Sequence, residues 1–393
     1  MINTSTSDEN LCGLKRTDFQ KTVDGKQTDL FILKNENGVE IAVTNYGGAV
    51  LAIMAPDKNG KFANVIQGHD SIDHVINSHE PFLSTLIGRY GNRIANGKFL
   101  LDGQEYSLTI NNGPNSLHGG PTGFHARVWD AEQVTPQSLK LHYLSADGEE
   151  GFPGNLDVTV VYTLSNQNEF IITYSAVTDK TTLVNLTHHG FFSLSGIANP
   201  TASVENNIVT INADFYTPMD NVSIPTGEIA KVEGTPMDFR TPHAVGSRIN
   251  DKFEQLEFGA GYDHCYVLNK REQGTLSFAA KCVEPESGRS MEVYTDAKEK
   301  GAEIAEKRAE NSLMRRSELL ARRSELLQRR EELLSQRNIV HERIAQAFPA
   351  LREGKTNGPA FTRVHEHAQR RKELAKAVKA KARELKNKAK DRS

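Results

Sequence analysis

Residues 97–110 read GKFLLDGQEYSLTI, two β-rich runs joined at Asp102-Gly103. Asp and Gly both tolerate the positive φ that a tight hairpin turn demands, so the pattern predicts a pair of antiparallel strands. FILKNENGVEIAV (31–43) repeats the arrangement around Asn37-Gly38. Further strand-like runs follow in LDVTVVYTL (156–164), EFIITYSAV (169–177), SVENNIVTI (203–211) and LSFAAKCV (276–283). No segment before residue 296 carries a long helical period. Many short strands in succession predict a large all-β sandwich or barrel.

The rest of the 393-residue chain is of another kind. From Asp296 to Ser393 there are 26 Lys/Arg against 15 Asp/Glu, a charge of +11, whereas residues 1–295 hold 21 against 35, or −14. All ten Tyr, the single Trp and all three Cys lie before 296, and Phe348 and Phe361 are the only aromatic residues after it. The composition therefore predicts an N-terminal arm (1–12), a β-domain (13–295) and a basic helical tail (296–393). In the tail, Leu319/Leu320, Leu326/Leu327 and Leu333/Leu334 recur every seven residues among Arg, Glu and Ala. That is helix-forming composition, but paired leucines do not make the three–four seam of a coiled coil. Pro349, Gly354, Gly358 and Pro359 predict a break at 348–361 between two helices.

Cys12, Cys265 and Cys282 are odd in number and widely spaced, so free thiols are expected rather than a disulfide framework or a metal site. No long apolar run suggests a membrane span, and the first residues lack the apolar stretch of a signal peptide. A cytoplasmic location is expected, with a periplasmic or exported one left open. The tail has no recognised nucleic-acid motif and no interleaved aromatics, so nucleic acid is not an expected partner. Self-association through the tail stays open.

Polar clusters interrupt the strands. IGRYGNRIANG brings Arg89, Asn92 and Arg93; NNGPNSLHGGPTGFHARVW brings His118 and His125; GAGYDHCYVL brings Asp263 and His264. LVNLTHHGFFSLSG (183–196) sets His188 beside His189 in an apolar, strand-like run. Adjacent side chains of a strand leave on opposite faces, so the two histidines are expected to serve different surroundings. Singly, each cluster also suits a bland role as solvated arginine, turn histidine or core histidine.

Taken together, TNYGGAV, GRYGNRIANGKF, NGPNSLHGG, GFPGNLDVTVVYTL, VNLTHHGFFSLSG, IPTGEIAKVEGTPMDFR and GYDHCYVL resemble the aldose 1-epimerases (galactose mutarotases), in order and at proper spacing, over about residues 13–295. The resemblance implies a large antiparallel β-sandwich and the interconversion of α and β anomers of free hexoses such as galactose and glucose. It places the family's catalytic acid on His189, with His188 where relatives usually carry Asn. It sets Asn92, Arg93, His118 and Asp263 around the sugar, and it requires neither metal nor cofactor. Imidazole suits the acid because its pKa lies near neutrality.

The resemblance stops at Thr295. Relatives continue with a strand that carries a sugar-contacting Gln and a segment similar to GFCLETQ that supplies the glutamate base, and neither is recognisable here. The expectation is therefore an aldose 1-epimerase with impaired activity. The alternatives are a non-catalytic sugar-binding module and an interaction protein acting through its basic tail.

Overall fold

The computed structural model describes residues 12–297. The arm before Cys12 and the helices expected in the tail lie outside the described residues.

Two four-stranded antiparallel meanders build the main core. One runs Leu30–Lys34, Glu40–Thr44, Val50–Pro56 and Phe62–Asn64; the other runs Asp130–Thr135, Ser138–Ser145, Leu156–Leu164 and Phe170–Thr178. Along Leu156–Leu164 every second residue is buried, so Leu156, Val158, Val160, Tyr162 and Leu164 face inward while Asp157 meets solvent. They share one apolar cluster with Leu33, Ile41, Val43, Val50 and Ile53 of the first sheet. Each such aliphatic side chain contributes roughly 1.5–3 kcal/mol on burial. The result is the expected β-sandwich. Further sheets extend it: Ile208–Ile211 pairs with His243–Ala244 and Ser277–Val283, which pairs with Ser290–Thr295. Ala213–Tyr216 pairs with Ala230–Lys231 and Tyr266–Leu268.

The two hairpin turns differ. Asp102 (φ 50°) and Gly103 (φ 80°) both sit in the left-handed region and link Lys98–Leu101 to Gln104–Ser107 with no further residue. At the other turn only Gly38 (φ 78°) is left-handed. There Asn35 organises a longer loop, its Oδ1 accepting the Asn37 and Val39 N–H groups. SVENNIVTI is likewise not one strand: Val204–Asn206 form a 3-10 turn, capped by the Ser203 hydroxyl, and the strand starts at Ile208.

Arg89 departs from the solvated role common for arginine. It is 2% exposed, and its guanidinium donates to the Ser145 hydroxyl and to the carbonyls of Ser145, Ala146 and Pro153 at 2.8–2.9 Å. Burial lowers its pKa, and the nearby Glu149 and Asp147 carboxylates oppose that loss of charge. Arg89 thereby fastens the segment that carries Asn92 and Arg93 to the sheet beneath. Arg93 is only half-buried, and its Nε donates to Asn112. Arg89→Ala strands several buried acceptors, each costing about 1–3 kcal/mol. It is expected to lower stability by roughly 3 kcal/mol or more in urea titration, and Arg93→Ala by less than half as much. Equal losses would contradict this assignment of roles.

Candidate active site

The site is built where three chain segments meet. Leu86–Ile87 pairs with Thr187–His188, and the pairing continues through His189 N–H to Thr85 O (2.9 Å) and Ser84 N–H to His189 O (3.0 Å). On this extended backbone the two histidines diverge as expected. His188 turns into the sandwich, edge-on to Tyr162 (5.9 Å) and Phe170 (6.2 Å), with its Nε2 buried and unpartnered. Its pKa is pushed down to about 4, first by burial and then by the neighbouring His189. His189 faces the other way and meets the His118 ring at 4.9 Å and Phe191 at 5.0 Å between centroids.

His118 is held by Asn92 through a reciprocal clasp. The Asn92 N–H donates to His118 Nδ1 (3.0 Å), and the His118 N–H donates to Asn92 O (3.0 Å). An accepting Nδ1 puts the proton of neutral His118 on Nε2. Both residues adopt left-handed backbones, φ 66° at Asn92 and 54° at His118. That conformation is mild for Asn and costs about 1–2 kcal/mol for most other residues. Gly119 explains the glycine after His118, since a Cβ there would lie 1.9 Å from Gly88 O.

Asp263 arrives from the third segment. Helix Glu254–Gly259 ends at Ala260 in a left-handed cap, and the turn that follows leads to Asp263 just before strand Tyr266–Leu268. Asn92 Nδ2 reaches Cys265 Sγ at 3.6 Å, joining this segment to the clasp. Burial lowers the pKa of His189, while the carboxylates of Glu80 and Asp263 act in the opposite direction. Of the residues singled out in the sequence, Asn92, His118 and His189 thus meet, and the exposed Asp263 carboxylate acts on His189 through its charge. Arg93 adjoins them in sequence but turns its Nε to Asn112. His125 is 3% exposed, its pKa pushed by burial to about 4, and His264 bonds Gln255 at 3.1 Å.

Two neighbours escaped the sequence reading, Glu80 and Phe82. Their only sequence signal is position, in the run HEPFL (79–83) just before the strand that pairs with the histidines. A hollow lined by Asn212, Asp214, Arg240, Asn269 and Phe278 shares no residue with this cluster, and Arg240 is already paired with Asp238 and Asp214. Among the described residues no group of three or more His, Cys, Asp or Glu is placed to hold a metal ion, and Cys12, Cys265 and Cys282 are free thiols. No helix among them is long and apolar enough to cross a membrane.

Galactose mutarotase from Bos taurus is 39% identical over 257 residues, 65% of this chain and 72% of that protein. Aldose 1-epimerase from Escherichia coli K12 is 34% identical over 274 residues, 70% and 78% of the two chains. The crystal structure of an aldose epimerase homologue from C. elegans superposes with a TM-score of 0.59 at 28% identity, covering 67% of this chain and 78% of that one. Sandwich and relatives together define the galactose mutarotase-like class. A sequence model described as aldose 1-epimerase matches residues 29–299, and the chain belongs to the aldose 1-epimerase family.

The depressed His188 pKa carries a stability signature. Unfolded histidine takes up its proton near pH 6.5, whereas His188 resists until about pH 4. Folding therefore loses stability as pH falls from 6.5 towards 4. Between pH 7 and pH 5, His188→Asn is expected to lose roughly 2 kcal/mol less than the unaltered protein in urea titration. A residual slope should remain, because His125 is depressed in the same way. Identical losses would mean that the His188 ring nitrogens are not shielded from water in the folded protein.

Proposed function

We propose that this chain binds free hexoses and interconverts their α and β anomers, with the rate reduced by the lack of the family's glutamate base. The observation that carries the reading is the approach of His118 and His189, 4.9 Å between ring centroids, beside Asn92 and within reach of the charge of Asp263. His189, as the acid, protonates the ring oxygen while a solvent water takes the O1 proton in place of the family's glutamate, and the ring opens to the aldehyde. Rotation about C1–C2 and closure on the other face complete the turnover. Burial makes protonated His189 a stronger acid than free imidazole, and the carboxylates of Glu80 and Asp263 limit how far its proton affinity falls. The Nε2–H of neutral His118 is a donor suited to charge developing at oxygen. Asn92, Arg93 and Asp263 supply the mixed donors and acceptors that sugar hydroxyls require.

One positioned acid or base is worth about 10²–10⁴-fold. Polarimetry of freshly dissolved α-D-galactose or α-D-glucose is expected to show turnover slower than that of an intact relative by a factor in that range, and lost in His189→Asn. Arg93→Ala and Asp263→Ala should each weaken galactose binding by about 1.5–3 kcal/mol in calorimetric titration. Family-level activity would contradict the impairment. Binding without any turnover would favour the sugar-binding module, and neither binding nor turnover would remove the reading. Glu299 and Glu303, the first glutamates past the junction, lie outside the described residues, and Glu→Gln variants at both test whether either replaces the base.

A further inference from the structure

Phe82 lies between two imidazoles. Its ring meets His118 edge-on at 4.7 Å and His125 at 4.5 Å between centroids. It is 9% exposed and packs with Ile87 and Leu117, which are the strand neighbours of Thr187 and Arg93. Its backbone is fixed from both sides. The Phe82 N–H donates to Glu80 Oε1 (3.3 Å), and Phe82 O accepts the Thr85 hydroxyl (3.1 Å). Thr85 O in turn accepts the His189 N–H (2.9 Å). Phe82 therefore touches His118 through its ring and reaches His189 through one intervening residue.

A histidine ring anchored at Nδ1 can still swing about that hydrogen bond, and its Nε2–H sweeps an arc as it does. Aromatic edge contacts have a preferred geometry. The Phe82 and His189 rings both press edge-on or tilted against His118, at 4.7 and 4.9 Å between centroids, and restrict that swing. Beyond Phe82 lies His125, a buried imidazole whose Nδ1 has no hydrogen-bond partner. We propose that Phe82 is a positioning residue for the reaction: it fixes the plane of His118 against His189. The proposal rests on the anomer-interconverting reading above, and its test includes a readout that survives failure of that reading.

Phe82→Leu and Phe82→Met keep most of the volume and lose the ring, while Phe82→Tyr keeps the ring. The readouts are the ¹⁵N shifts of the His118 ring nitrogens, polarimetric kcat and KM on galactose, and the melting temperature. Loss of the ring is expected to shift and broaden the His118 Nε2 signal as the ring samples more than one orientation, with the tautomer still set by the Asn92 N–H. It should cut kcat about tenfold with KM little changed, since misplacement of catalytic groups costs up to about 10²-fold. Phe82→Tyr should stay near the unaltered protein in both. Unchanged His118 shifts in a folded Phe82→Leu or Phe82→Met protein, or kcat within twofold, would overturn the proposal. If neither variant folds, nuclear Overhauser contacts between the Phe82 and His118 rings in the unaltered protein decide, and their absence overturns it. If the unaltered protein binds galactose without turnover, Kd is expected to change little and the His118 signals replace the kcat criterion. If it does not bind at all, the anomer-interconverting reading fails, and the His118 shifts alone decide whether Phe82 orients that ring.

Discussion

The site depends on the pairing of Leu86–Ile87 with Thr187–His188. Because alternate residues of a strand leave on opposite faces, this one register sends His188 into the sandwich and His189 outward. A slip by one residue would bury the proposed acid and expose the core histidine. The register is in turn tied to the molecule on several sides. Thr85 and Ser84 bond the His189 backbone, Asn185 bonds Arg89 and Gly91, and the Arg89 guanidinium is held by the second sheet.

On that frame the polar residues reinforce one another. The Asn92–His118 clasp requires left-handed backbone at both residues, and each partner satisfies a hydrogen-bonding group of the other. The cost of such backbone is sustained by surrounding structure, here the close passage of Gly119 over Gly88. Electrostatics adds a second layer. Burial alone would leave His189 a weak proton acceptor, and the Glu80 and Asp263 carboxylates restore part of that affinity. Two adjacent histidines thus acquire different chemistry from burial and nearby charge alone.

Much of this was legible in the sequence. LDVTVVYTL gives the strand Leu156–Leu164 because strict alternation is a strong signal when one face is buried. Asp102-Gly103 gives its hairpin because both residues accept positive φ. SVENNIVTI misleads because its β-rich letters include a serine cap and two asparagines that favour a turn. The family motifs carried Asn92, His118, His189 and Asp263, and alternation separated the two histidines. Arg89 looked like its neighbour Arg93, since nothing local tells which guanidinium meets four acceptors contributed by residues more than fifty positions away. Glu80 and Phe82 were invisible for the same reason: their roles come from the fold of the loop against His118 and His189 rather than from a motif.

The central claim is that the cluster around His118 and His189 is a hexose pocket. Its most direct test is a galactose titration followed through the imidazole signals of the ¹⁵N-labelled protein. Saturable shifts are expected at His118 and His189, with no change at His142, which is paired with Asp157 on the exposed face of its sheet. A saturable response at His142 alone, or none at any histidine up to galactose concentrations where an intact relative is saturated, would contradict it.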